Sequence, residues 1–350
     1  MDRARIGFVG VGGMGQCAHL RNYASLGECT VTALAELRPG LGRRVAERYG
    51  VARVYGTAAE MLASEELDGI VASQPFTRHG TLIPELASAG VPIFTEKPLA
   101  GCIEAGHRVL DALESAGVWQ MVGYHKRSDP ATMYARAEID RLRATGELGS
   151  MRYVRILMPA GDWVASGFTD LIGSDEPMPP IEFDDPATDM DPHTFERYTA
   201  FVNYYIHQVN LLRHLLGEPY SVTYADPSGV LLASASASGI CGVIEMSPYT
   251  TTVDWQESAL VAFEHGYVKV ELPAPLASNR PGRVEILRDP GNGRTPETIV
   301  PQLPWVHAMK QQAVNFVRAV KGELAPMCEA HEAMEDLKVA RDYIKLLTGQ

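Results

Sequence analysis

A glycine-rich turn, Gly10-Val11-Gly12-Gly13-Met14-Gly15, follows directly on the apolar run Ile6-Gly7-Phe8-Val9 and limits the possible folds more than any other stretch. A second apolar run, Val31-Thr32-Ala33-Leu34-Ala35, ends on Glu36. Strand, G-x-G-x-x-G, helix, strand and an acid about twenty residues on form the fingerprint of a dinucleotide-binding βαβ unit. Gly10 lets the chain turn off the strand. Gly12 removes the side chain that would block a pyrophosphate, and Gly15 lets the helix pack close to the sheet. The helix start around Gly13 and Met14 offers free N–H groups to the phosphates. Glu36 is placed to accept ribose hydroxyls and to repel a 2′-phosphate, which favours NAD. Arg38, just past Leu37, could offset that repulsion and leaves room for NADP.

The first third of the chain continues the alternation. Helix is expected over Leu41–Tyr49, strand near Tyr55 and over Gly69–Ser73, helix over His79–Ala89 and strand over Pro92–Thr95. Helix near Ile103–Ala116 and strand Trp119–Val122 follow. Short apolar strands spaced by helical patterns predict a doubly wound parallel sheet with ligands at the carboxyl ends of its strands. Beyond Gly123 the pattern changes. A helix after Pro130, a strand Arg152–Met158 and a helix Tyr198–Leu216 are followed by strand-like segments with no long helix between them. These are Ser221–Tyr224, Gly229–Ala235, Ile240–Met246, Ala259–Glu264 and Tyr267–Glu271, and they predict an antiparallel sheet. Two helices, near Val306–Lys321 and Glu329–Leu347, close the chain. The stretch Asp162–Asp191 has neither period, with five prolines between Pro177 and Pro192. It reads equally as a lid and as a solvated excursion.

At 350 residues the chain has room for two domains, expected at 1–124 and 125–350, with the C-terminal helices as candidates to pack back on the first. A net charge of −12 without a basic run argues against nucleic acid as partner. No eighteen-residue apolar stretch and no basic start leading into an apolar segment occur, so neither membrane span nor signal peptide is expected. Five scattered cysteines argue against a disulfide framework and structural zinc. They point to a reducing, cytoplasmic setting and to no metal site.

Four further clusters can carry chemistry. Glu96-Lys97-Pro98 ends the fifth strand on the ligand edge, where an ammonium group can stabilise an alkoxide-like charge. Ser73-Gln74-Pro75-Phe76 and His79 follow the fourth strand; their backbone should border the cofactor, while His79 either touches it or organises the helix start. Asn203, His207, Asn210 and His214 recur at intervals of four, three and four, which puts them on one face of a continuous helix. That face is either a hydrogen-bonded seam or a substrate contact led by His207, whose reference pKa of about 6.5 suits a proton acceptor. His125-Lys126-Arg127 stands after the last strand of the parallel sheet, with His125 and Arg127 as candidates for substrate hydroxyls or a carboxylate. Asp162, Trp163 and Tyr204 complete the substrate candidates.

Together these motifs resemble the glucose–fructose oxidoreductase / inositol dehydrogenase / MocA (Gfo/Idh/MocA) family over almost the whole chain. They occur in family order: Gly10–Gly15, Glu36, Pro75–His79, Glu96-Lys97-Pro98, Gly123–Arg127, Gly146-Glu147-Leu148-Gly149, and His207 ahead of Leu211–Gly217. The resemblance implies a Rossmann domain joined to a C-terminal α/β domain with a large, open, mostly antiparallel sheet. It implies an NAD(P)-dependent oxidoreductase acting on a CH–OH group of a sugar, glycoside or cyclitol, assembled as a homodimer or homotetramer through that sheet. Lys97 matches the family's active-site lysine and His207 its catalytic histidine. Asn203 stands where the family often has aspartate, so it can hold the imidazole by a hydrogen bond but cannot stabilise its cation by charge. Two alternatives share the fold: a redox-cycling glycoside lyase or hydrolase that retains NAD, and a dinucleotide-binding regulator without activity.

Overall fold

The computed structural model describes residues 3–246, 249–289, 291 and 293–349. Two compact units emerge. The first comprises 1–124, 166–191 and 309–337; the second comprises 125–165, 192–308 and 338–350.

The first unit is built on β1 (Ala4–Val9), β2 (Cys29–Ala35), β3 (Arg53–Tyr55), β4 (Gly69–Ala72), β5 (Ile93–Glu96) and β6 (Gln120–Gly123). Their order is β3-β2-β1-β4-β5-β6, and every neighbouring pair is parallel. The order reverses at β1, so the β1 and β4 carboxyl ends open the crevice in which such sheets hold ligands. Short apolar strands buried on both faces explain the runs without alternation: β4, β5 and β6 are buried throughout. After β1 the chain forms π-helical turns over Gly15–Leu20, continued by Arg21–Tyr23 (together α1). Helices α2 (Pro39–Tyr49), α3 (Ala58–Ser64), α4 (His79–Ala87) and α5 (Ile103–Ala116) alternate with the strands. From the C-terminal part, α9 (Ala308–Val320) places Phe316 edge-on against Tyr23, Phe94 and Trp119, joining the core of this unit.

The second unit contains α6 (Pro130–Thr145), β7 (Met151–Leu157), α7 (Pro192–Tyr204), α8 (Ile206–Leu216) and the sheet strands that follow. These are β8 (Tyr220–Ala225), β9 (Leu231–Ser236), β10 (Cys241–Glu245), β11 (Glu257–Phe263), β12 (Gly266–Leu272), β13 (Arg283–Arg288) and β14 (Glu297–Ile299). The sheet order is β14-β13-β12-β11-β7-β10-β9-β8, antiparallel except where β7 meets β10. Alternating burial in β9, β11 and β12 shows one face packed and the other open. The last helix, α10, runs from Ala330 to Thr348.

Two sequence expectations need correction. The sheet extends two strands beyond Tyr267–Glu271. Pro273, Pro275 and Pro281 mark a loop, but β13 returns to pair with β12 over a short alternation that carries little signal alone. The helix expected over Tyr198–Leu216 is two helices, starting earlier and breaking at Tyr205, whose φ and ψ are −97° and −1°. Its hydroxyl donates to the Met246 carbonyl at 2.7 Å, and its own carbonyl accepts from both Gln208 and Val209. A tertiary hydrogen bond thus fixes the break, which periodicity cannot register.

Candidate active site

The glycine turn does what its sequence requires. Gly10 has φ +87°, and a side chain there would run into the Ser73 carbonyl 2.6 Å away. A Cβ on Gly15 would lie 2.5 Å from the Gly10 carbonyl oxygen, so this glycine sets the approach of α1 to β1. A Cβ on Gly12 would meet nothing within 4 Å, which leaves open the space a pyrophosphate needs. Gly13 and Met14 lead into α1, and the Gly13 Cα faces the Phe168 ring.

Glu36 ends β2 buried, and both carboxylate oxygens are held. Oε2 accepts from the Val11 N–H at 3.0 Å; Oε1 accepts from Arg38 Nε at 2.7 Å and from the Arg38 N–H at 3.2 Å. The acid therefore grips the glycine turn itself, and Arg38 partly neutralises it. A groove of about 520 Å³ opens here, in the size range of ligand sites. Gly10, Gly12, Glu36, Leu37 and Arg38 line one side, and Ser73, Gln74 and Pro75 the other. The sequence reading missed Arg78 and Leu82 on that second side and the segment Met178–Glu182. Arg78 gives one guanidinium N–H to Gln74 Oε1 at 3.0 Å, while its Nε is buried without a partner among the described residues. An open space at Gly12, a carboxylate following β2 and a half-buried guanidinium in one groove fit an adenine dinucleotide.

Several residues expected at the cofactor hold the frame around it. His79 is fully buried and its Nδ1 meets the Leu99 carbonyl at 3.0 Å; burial holds the imidazole below its usual pKa. It anchors the loop after Lys97 and does not line the groove. Glu96 also turns inward: Oε1 lies 2.6 Å from His19 Nε2 and Oε2 accepts from the Lys97 N–H at 3.3 Å. Burial is the largest single influence and disfavours its charge, but the His19 hydrogen bond, the His19 and Lys97 charges and the Lys97 N–H together outweigh it and leave the carboxyl below the usual range. His19 sits on α1, so the pair ties the Lys97 turn to the glycine-loop helix. Neither Phe76 nor Lys97 lines the groove; both are half-buried, and the Lys97–Pro98 peptide is cis.

In the second unit, His125 and His207 come together, their rings edge-on with centroids 4.6 Å apart. Tyr204 is tied by its oxygen to the Gly161 backbone, next to Asp162, and burial raises its phenol above the ordinary value. Asp162 Oδ1 caps a turn through the Val164 and Ala165 N–H groups, and Trp163 accepts at its carbonyl from Leu276. Arg127 is buried and gives Nε to Asn210 Oδ1 at 2.6 Å, which braces α8. Asn203 is exposed in the last turn of α7, and the Tyr205 break separates it from the α8 face that carries His207. The intended stripe of Asn203, His207, Asn210 and His214 is therefore not one helical face.

The sequence reading also missed a buried network beside His125. Lys126 Nζ lies 2.5 Å from Glu257 Oε2, Gln208 gives Nε2 to Glu257 Oε1 at 2.7 Å, and Trp255 Nε1 donates to Oε2 at 3.2 Å. Lys126 also stands 5.4 Å from the Trp255 ring centre. Asp129, three residues past Lys126, caps α6 through the Ala131 N–H and accepts from the Gly282 N–H; burial pushes its carboxyl up to about 6. Glu257 lies some 130 residues from Lys126, so no local pattern marks their pairing. Among the described residues no group of three or more His, Cys, Asp or Glu side chains could hold a metal ion. No described helix is long and apolar enough to cross a membrane.

Residues 4–124 match the Gfo/Idh/MocA family model, an oxidoreductase family with an NAD-binding Rossmann fold. The chain is similar to the rhizopine catabolism protein MocA of Rhizobium meliloti, 31% identical over 172 residues, 48% of this chain and 52% of the relative. It thus spans about half the length of that relative. The inositol 2-dehydrogenase of Rhizobium meliloti is 25% identical over 338 residues, covering 92% of this chain and 91% of the relative. In fold it resembles a levoglucosan dehydrogenase solved with NADH and levoglucosan, at a TM-score of 0.72 and 16% identity, covering 99% of this chain and 98% of that one.

Proposed function

We propose that this chain, whose residues 4–124 match the Gfo/Idh/MocA family model, is an oxidoreductase of that kind and oxidises a secondary alcohol of a sugar, glycoside or cyclitol, or reduces the corresponding ketone. The observation that carries this reading is the position of Lys97. It follows β5 directly, on the carboxyl edge of the same parallel sheet whose β1 turn carries Gly10, Gly12 and Gly15. Bound NAD would supply the nicotinamide carbon that exchanges hydride with the substrate.

The chain's own groups do the rest. Lys97 donates a hydrogen bond to the reacting oxygen and stabilises the negative charge that develops there. His207 takes the hydroxyl proton in the oxidative direction and returns it in the reductive one. The edge-on contact with His125 supports this role by fixing the plane of the His207 ring. Tyr204, Asp162 and Trp163 supply hydroxyl, carboxylate and indole surface for a polyol, whose several hydroxyls need partners on desolvation. Glu36 favours NAD, with NADP as the second cofactor the Arg38 guanidinium could serve. The protein works as a homodimer or homotetramer, which light scattering in solution tests.

The test is a panel of polyols, sugars and glycosides with NAD, read as NADH absorbance. Wild type should produce NADH with at least one of them. Lys97→Ala should lower kcat by about two to four orders of magnitude. Its NAD affinity, measured by calorimetry, should stay within a few-fold. Undiminished turnover in that variant removes Lys97 from the chemistry.

A further inference from the structure

The segment between Ala165 and α7 lies with the first unit, although its neighbours on both sides in sequence belong to the second. Two carboxylates fasten it. Glu176 accepts from the Gly40 and Leu41 N–H groups at 2.9 and 2.8 Å, at the start of α2, the helix that follows Glu36. Asp184, its side chain only 2% exposed, accepts from the Gly80 N–H at 2.9 Å and from Arg108 at 2.8 Å, at the start of α4. Its own N–H donates to the Thr77 carbonyl at 2.7 Å. The two anchors therefore stand on the two turns that flank the groove, one after β2 and one after β4.

Between them run Pro177-Met178-Pro179-Pro180-Ile181-Glu182-Phe183. Three prolines fix φ and keep so short a span stiff before any ligand arrives. Met178 through Glu182 line the same groove as Glu36 and Arg78. Gly12 marks the pyrophosphate and Glu36 the adenosine ribose, so the part of the groove beyond them, between Leu37 and Leu82, is where the base must go. Met178 is 52% exposed, an apolar side chain at the rim of the groove with surface left to bury.

We propose that this strap is the outer wall of the adenosine half-site, with Met178 and Ile181 covering the adenine ring. The assignment rests on the cofactor reading above and deepens it. A ligand held under a strap tied at both ends enters and leaves only when one anchor lets go. Glu176 and Asp184 are thus the latches that set how fast the dinucleotide exchanges.

The test uses ADP-ribose, which carries the adenosine half without the reactive ring, titrated by calorimetry into the full-length protein. The variant is Met178→Ala/Ile181→Ala. Its affinity should fall roughly tenfold, as expected for losing partial burial of two apolar side chains, with the melting temperature unchanged. In wild type, saturating ADP-ribose should slow backbone hydrogen exchange across 176–184. Affinity within twofold in the variant, or unchanged exchange in that segment, overturns the strap assignment and leaves the cofactor reading intact. Failure of wild type to bind ADP-ribose overturns both.

Discussion

Alanine at Gly12 and alanine at Gly15 are the same change three residues apart, yet the structure assigns them opposite consequences. A Cβ on Gly12 has nothing within 4 Å, so folding should not register it; stability should stay within about 0.5 kcal/mol of wild type. The methyl instead enters the space reserved for the pyrophosphate. Forcing a methyl group into a filled site costs about 1–3 kcal/mol, which corresponds to roughly five- to 150-fold weaker dinucleotide binding. On Gly15 the Cβ stands 2.5 Å from the Gly10 carbonyl, a backbone atom that cannot swing aside. There the same cost of about 1–3 kcal/mol falls on folding. It should lower the melting temperature of the first unit by roughly 2–10 °C. Differential scanning calorimetry gives the melting temperatures, and titration with NAD or ADP-ribose gives the affinities. A Gly12→Ala protein that binds NAD as well as wild type would show that the pyrophosphate does not cross this turn. One that melts as low as Gly15→Ala would show that the open space is not open.

Three other outcomes follow from the described contacts. The Asp129 carboxyl has a pKa near 6 when folded, against about 3.9 when unfolded, so the native state holds the extra proton between those values. The stability this one carboxyl contributes is complete below about pH 4 and is lost as pH rises to 6, on the order of 2–3 kcal/mol; in denaturant melts across pH, the difference between wild type and Asp129→Asn should change by that amount over this window. Lys126→Ala leaves Glu257 buried without its cation and should cost about 3–5 kcal/mol. Urea unfolding would check it, and a loss below 1 kcal/mol would mean that Gln208 and Trp255 suffice to hold the carboxylate. Glu36→Ser frees Arg38 from its ion pair and should shift the ratio of NADP to NAD affinity upward by at least about tenfold; calorimetry with both cofactors reads it, and an unchanged ratio would clear Glu36 of any part in the choice.

The parallel sheet was legible because its signals are local. β1, the glycines and Glu36 lie within about three dozen residues, and each glycine is fixed by the backbone beside it. Substrate-side residues were legible only in part. The contact between the His125 and His207 rings, the Arg127 hydrogen bond to Asn210 and the Tyr205 break between Asn203 and His207 all depend on tertiary packing that the motifs do not record.

What the sequence determined by itself is the framework: strand and helix order, the glycine turn with an acid after β2, and the lysine at the end of β5. Those features depend on near neighbours and on steric limits that any single residue type carries with it. Tertiary structure alone decided which polar groups are used and which are merely braced. Lys126 with Glu257, His19 with Glu96, and the strap latched by Glu176 and Asp184 join residues from 76 to 136 positions apart. Pairings at that range are set by how whole elements pack, and no periodicity or motif records them.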